Sequence, residues 1–225
     1  GHEHLPATGP VIIASNHLSF VDSMVIPLAA GRKVGFFGKA EYVTGTGVKG
    51  WLSRLWFGEF GGMIPVDRSD ARAAARSLEL AQEHLAGGGA FGIYPEGTRS
   101  RDGRLHKGRT GVGRLAVASG APVVPCALVG TDKAQPIDAR GIRPHRVTVR
   151  FAPPVDVAAL EAQYVKGKLL RAITDAVLTV ADADRLEVYD VVRACADAGC
   201  IAIRGAAPFL RPRDAYVVPC SPWFM

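Results

Sequence analysis

Short apolar runs that alternate with helical stretches constrain this chain more than any other feature. The runs lie at residues 11–14, 34–39, 61–66, 90–94 and 122–129, and each has the length and composition of a buried strand. Between the third and fourth, Ser69-Asp70 stands at a cap position. Ala71, Ala74, Ala75, Leu78, Ala81 and Leu85 then line one side, and Gly87-Gly88-Gly89 stops the helix. Residues 24–30 read as a helix interrupted or ended near Pro27. A further helix starts in the glycine-rich stretch after Gly108 and runs to Ser119, and two more are expected at 157–164 and 168–180. Residues 146–151 alternate polar and apolar and suit an edge strand. The order predicts an α/β fold with a central, mostly parallel or mixed sheet flanked by helices.

A chain of 225 residues with 48% apolar content holds one packed domain and a tail. We place the domain at 1–186 and the tail at 187–225. There proline and arginine gather around Cys195, Cys200 and Cys220, and the segment reads as a packed extension, a partner contact or a poorly ordered end. The fourth cysteine, Cys126, lies in an apolar run and reads as a core thiol. No C-x-x-C pair or zinc spacing occurs, so no metal is expected. The net charge is +6, carried by 20 arginines against 7 lysines. Such a surface suits anionic lipid, phosphorylated or coenzyme-linked substrates, or serves solubility alone. No basic helix, aromatic RNA-binding signature or zinc finger points to nucleic acid. No run reaches the length of a membrane span. The chain opens on Gly1 rather than methionine, which leaves room for an upstream membrane anchor.

In α/β sheets ligands collect beyond the carboxyl ends of the strands. Polar clusters follow three of the apolar runs. After the first comes Ser15-Asn16-His17-Leu18-Ser19-Phe20-Val21-Asp22, with the carboxylate five positions beyond the histidine. A helix starting after His17 would let Asp22 fold back on the ring, hold one imidazole nitrogen and leave the other free to take a proton. Arg68 closes the third run, and Glu96-Gly97-Thr98-Arg99 follows the fourth. Each alone also suits a solvated turn. Together they describe a site that deprotonates a hydroxyl and grips a phosphate.

Other patterns carry less. Gly45-Thr46-Gly47-Val48-Lys49-Gly50 has dinucleotide-loop spacing but follows no clean apolar strand. The stretch 108–115 resembles a P-loop, yet Arg114 and Leu115 stand where lysine and a hydroxyl are required. Its glycines suit close packing or backbone approach to a ligand. Trp51, Leu52, Leu55, Trp56 and Phe60 share one helical face, which is either core or a groove for an acyl chain or headgroup.

Four ordered blocks then carry a resemblance to the glycerolipid acyltransferases of the 1-acylglycerol-3-phosphate acyltransferase type. The block Asn16-His17-Leu18-Ser19-Phe20-Val21-Asp22 matches N-H-x-x-x-x-D, and Gly62-Met63-Ile64-Pro65-Val66-Asp67-Arg68 is similar to the second. Tyr94-Pro95-Glu96-Gly97-Thr98-Arg99-Ser100 matches P-E-G-T-R-S, and Val123-Val124-Pro125-Cys126-Ala127-Leu128 is similar to the fourth. The stretch from Lys39 to Trp51 resembles the actinobacterial branch. The likeness implies His17 as general base and Asp22 as its partner. It implies a phosphate site of Arg68, Glu96, Gly97, Thr98, Arg99 and Lys39, with Glu96 orienting arginines or hydroxyls. Trp51, Trp56 and Pro125 would contact the acyl donor or chain.

The implied reaction moves an acyl chain from acyl-CoA or acyl-carrier protein to the hydroxyl of lysophosphatidic acid, with no further cofactor. Glycerol-3-phosphate or another hydroxyl acceptor is the near alternative. A non-catalytic basic domain binding lipid or nucleic acid is the alternative of another class. The implied partners are lysophospholipid, acyl thioester and an anionic membrane surface. The implied place is the cytoplasmic face of the cell membrane, peripheral or monotopic.

Overall fold

A computed structural model of the chain describes residues 1–39, 64–66, 71–139, 141–197, 200–202 and 217–219. Six strands form one sheet in the order β3-β2-β4-β1-β5-β6. They are β1 (Val11–Ser15), β2 (Val34–Lys39), β3 (Ile64–Val66), β4 (Ala90–Ile93), β5 (Val123–Val129) and β6 (Thr148–Phe151). All pairings are parallel except that of β5 with the edge strand β6. The expected mixed sheet is therefore present, and the alternating run at 146–151 takes the edge.

β1 lies in the middle, flanked by β4 and β5, and all five of its residues are buried. An unbroken apolar strand needs cover on both faces, and it receives it. Ile12 and Ala14 face a cluster with Ala81 and Leu85 of α2 (Ala71–Ala86), Val112 and Leu115 of α3 (Gly111–Ser119), and Ile173 and Val177 from the long C-terminal helix. Val11 and Ile13 point the other way, towards Ile26 and Ala30 of α1 (Asp22–Ala30). The sheet is thus sandwiched between α1 on one face and α2, α3 and the long C-terminal helix on the other, where Val157 and Leu160 also pack. Between α3 and that long helix lie α4 (Thr131–Ala134) and α5 (Val157–Gln163), and the long helix is α6 (Lys166–Asp197).

Two expectations change. α1 does not stop near Pro27 but continues to Ala30, with Gly31 in the left-handed region as its end. Proline removes one helical hydrogen bond, and Ile26 and Ala30, buried on either side of it, anchor the helix across that gap. The domain boundary after 186 falls inside α6, which runs 32 residues without interruption. Leu169, Ile173, Val177 and Ala181 recur at helical spacing on its buried side, which seats the first half of the helix in the core. Within the tail, β7 (Cys200–Ala202) pairs antiparallel with β8 (Val217–Pro219).

The glycines of the P-loop lookalike serve packing. A Cβ on Gly113 would stand 2.4 Å from the Leu170 carbonyl oxygen of α6, and one on Gly108 would stand 2.7 Å from Leu178 Cδ1. Only hydrogen at these positions lets α3 lie against α6.

Candidate active site

β1 and β4 are neighbours whose onward connections run on opposite faces. From β1 the chain crosses through α1 to β2, and from β4 it crosses through α3 to β5. The crevice beyond their carboxyl ends is therefore a topological switch point, where α/β folds place ligands. His17 comes off the end of β1, and Tyr94 to Ser100 form the turn off β4.

The turn from His17 to Asp22 is built around one carboxylate oxygen. Asp22 Oδ2 accepts from Leu18 N–H at 2.7 Å, Ser19 N–H at 2.8 Å and His17 Nδ1 at 2.8 Å. The Asp22 side chain is fully buried, while His17 keeps 17% of its own exposed. An ionised carboxylate only accepts, so Nδ1 carries the ring proton and Nε2 keeps its lone pair. The two backbone donors hold Asp22 in place whichever way the imidazole moves. This is a base with its orienter, and among the described residues the ring's hydrogen bond is to Asp22 and not to a serine or cysteine side chain.

The β4 turn grips His17 from the other side. Glu96 Oε1 accepts the His17 N–H at 3.2 Å, and Ser100 N–H donates to the His17 carbonyl at 2.7 Å. Glu96 Oε2 accepts from His106 N–H at 3.1 Å. Glu96 is buried at 6% exposure, and both its oxygens are taken by backbone N–H groups, where the resemblance implied arginines or hydroxyls of a phosphate site. A buried anion beside the site would repel phosphate, whereas here it clips three chain segments together.

Gly97 turns the chain at φ +75° and its N–H donates to the Tyr94 carbonyl at 3.0 Å. The side chain of Arg109 lies over it, with Nε 3.3 Å from where a Cβ would stand. Thr98 is exposed and Arg99 partly so. Thus Gly97, Thr98 and Arg99 lie on the same turn that holds the backbone of His17, and Arg109 adds a second guanidinium that the motif reading did not assign. Nearby, Asp102 accepts from Ser100 Oγ, Arg104 N–H and the His106 ring. Those donors, the Arg104 N–H foremost, hold its carboxyl well below the usual range. A cavity of about 440 Å³ opens beside Leu18 and Ser100, but it carries Asp102, Asp132 and Asp138 against Arg101. Its sign is wrong for a phosphate.

The other predicted residues fall elsewhere. Lys39 ends β2 opposite Val66, and its side chain lies outside the described residues. Arg68, Trp51 and Trp56 also lie outside them. Pro125 is buried within β5 beside Ala14. Motif reading gave Tyr94 no part in the site. Its ring stacks on His17 with centroids 3.8 Å apart. The only trace in the sequence was an aromatic residue closing a strand just before Pro95.

The chain also resembles known proteins. A family model described as Acyltransferase matches residues 1–129. The chain is 35% identical over 146 residues to the chloroplastic 1-acyl-sn-glycerol-3-phosphate acyltransferase BAT2 of Brassica napus, covering 64% of this chain and 40% of the relative. It is 27% identical over 184 residues to the alpha form from Mus musculus, covering 80% of this chain and 61% of the relative. The chain thus spans about two fifths of the BAT2 length. Among solved structures, the 1-acyl-sn-glycerophosphate acyltransferase PlsC of Thermotoga maritima superposes with a TM-score of 0.59 at 26% identity. That alignment covers 81% of this chain and 69% of the other.

Proposed function

Because the chain belongs to the acyltransferase family, we propose that it transfers an acyl chain from a thioester to the free hydroxyl of lysophosphatidic acid, giving phosphatidic acid. The relatives of that printed activity support the acceptor. The observation that carries the chemistry is the His17 Nδ1–Asp22 Oδ2 bond of 2.8 Å, which leaves Nε2 as the ring nitrogen able to take a proton.

Nε2 takes the proton of the acceptor hydroxyl as its oxygen attacks the thioester carbonyl. Asp22 stabilises the imidazolium that forms. When the tetrahedral intermediate collapses, the C–S bond breaks and the imidazolium returns its proton to the leaving thiolate. The transfer is direct, without an acyl-enzyme, since among the described residues no serine or cysteine side chain is hydrogen-bonded to the His17 ring. Arg99 and the Gly97-Thr98 turn hold the acceptor's phosphate, with Arg68 and Lys39 completing the site. The donor is acyl-CoA or acyl-carrier protein.

Acceptor and product are lipids, so the protein works against an anionic membrane as a peripheral or monotopic enzyme, on the cytoplasmic face. No helix among the described residues is long and apolar enough to cross a membrane. Flotation with anionic vesicles checks this contact, and absence of binding sinks it.

Activity is tested with lysophosphatidic acid and both donors, comparing wild type with His17→Ala and Asp22→Asn. Loss of the base lowers turnover by about two to four decades. Acylation of glycerol-3-phosphate alone would move the reading to that acceptor. Undiminished turnover in His17→Ala would remove the histidine from the mechanism. Lipid binding without turnover in wild type would favour the non-catalytic alternative.

A further inference from the structure

The reaction as written makes no use of Tyr94, yet this side chain has the most specific contact with the base after Asp22. It follows β4, and its ring lies on that of His17 with centroids 3.8 Å apart and planes 8° from parallel. Its hydroxyl stands 2.9 Å from that of Ser23, the residue next to Asp22 on α1. Phe36 of β2 packs on the same ring, centroid to centroid 5.4 Å. The phenol is thus tied to the helix that delivers the orienting carboxylate and is wedged against a neighbouring strand.

We propose that Tyr94 is a positioning residue for His17. Its face holds the imidazole plane and favours the imidazolium that arises as the acceptor hydroxyl is deprotonated. The proposal rests on His17 being the general base.

The physical reason lies in the direction of each contact. Asp22 meets the ring in its plane, at Nδ1. That bond alone leaves the ring free to rock about its axis. A stacked aromatic face removes this freedom. An aromatic face also attracts a cation more than a neutral ring, so the contact strengthens when Nε2 gains its proton. An interaction stronger in the charged transition state than in the ground state raises turnover rather than binding. For this the phenol must stay neutral. Burial, then the charge of Asp22, push its ionisation well above the ordinary phenol range, against the Ser23 hydroxyl. Among the described residues, the ionisable groups around the pair are Asp22 from α1, Cys126 from β5 near Tyr94, and Glu96. Glu96 meets His17 only at its backbone N–H.

The test follows the titration of His17 by NMR on the full chain with labelled histidine, alongside the pH dependence of acylation. The variants are Tyr94→Phe, Tyr94→Leu and Ser23→Ala. Tyr94→Leu keeps an apolar cover but removes the aromatic face. It is expected to lower the His17 midpoint by roughly half to one pH unit and turnover by about ten-fold, with the KM for lysolipid unchanged. The acid limb of turnover moves down with the midpoint. Tyr94→Phe keeps the face and leaves the midpoint in place, with turnover within about three-fold of wild type. Ser23→Ala gives the same result as Tyr94→Phe. A folded Tyr94→Leu protein whose His17 midpoint is unmoved overturns the proposal, even if turnover falls, since packing alone would explain that. If Tyr94→Leu does not fold, Tyr94→Met carries the same comparison. The NMR titration needs no turnover. Absence of acylation in wild type would therefore sink the enzymatic reading while this test still reports on the stack.

Discussion

The side-chain amide of Asn16 is closed on the backbone of Leu128. Its Nδ2 donates to the Leu128 carbonyl at 3.0 Å and its Oδ1 accepts the Leu128 N–H at 2.7 Å. The last backbone pair of β1 and β5 is Ser15 with Cys126. Asn16 therefore carries the pairing onward with its side chain while the main chain turns away, and this fixes where His17 leaves the sheet. Asn16→Ala would strand two buried backbone groups, each costing about 1–3 kcal/mol. We expect a loss of about 2–4 kcal/mol in urea unfolding, together with reduced turnover in the folded fraction. Stability equal to wild type would show that the Leu128 backbone finds other partners.

Glu96→Gln tests the buried clip. Gln offers one acceptor oxygen where Glu96 uses two, and it points an N–H₂ at the second backbone donor. The variant should lose roughly 1–3 kcal/mol of stability and most of its turnover. A change confined to the KM for the phosphate-bearing acceptor would instead make Glu96 a ligand contact.

Gly97→Ala separates the turn from the chemistry. At φ +75° a side chain is strained by about 1–2 kcal/mol, and the new Cβ would press on Arg109 at 3.3 Å. His17 and Asp22 are untouched. The expected result is a raised KM for lysophosphatidic acid as the Arg99 turn and Arg109 shift. The His17 titration should stay unchanged. A KM equal to that of wild type would exclude the turn from acceptor binding.

Tyr94 makes alkaline stability readable. Its folded-state ionisation lies above the unfolded value, so it favours the folded state fully below the ordinary phenol range. That favour fades as pH rises above about 10, where the unfolded chain releases the proton first. The melting temperature should therefore fall more steeply above this pH in wild type than in Tyr94→Phe, measured by circular dichroism. Parallel curves would mean that the phenol ionises freely in the folded protein.

Much of this protein is legible from the chain alone. Every strand of the main sheet corresponds to an apolar or alternating run, because a strand's burial is written in its own residues. The His17–Asp22 bond was also within reach, since the turn that makes it lies inside one short stretch. Other features belong to the tertiary structure. The stack of Tyr94 on His17, the two bonds of Asn16 to Leu128, and the Glu96 clip between His17 and His106 all join segments that meet only because β4 and β5 flank β1. Strand order is settled by how helices pack across a finished sheet, and no local spacing encodes it. The same holds for α6: the change of composition after Leu186 suggested a break, but a helix whose buried side is already seated in the core continues past it. A residue's own neighbours decide whether it is strand or helix, while the distant neighbours brought to it by packing decide what its side chain does.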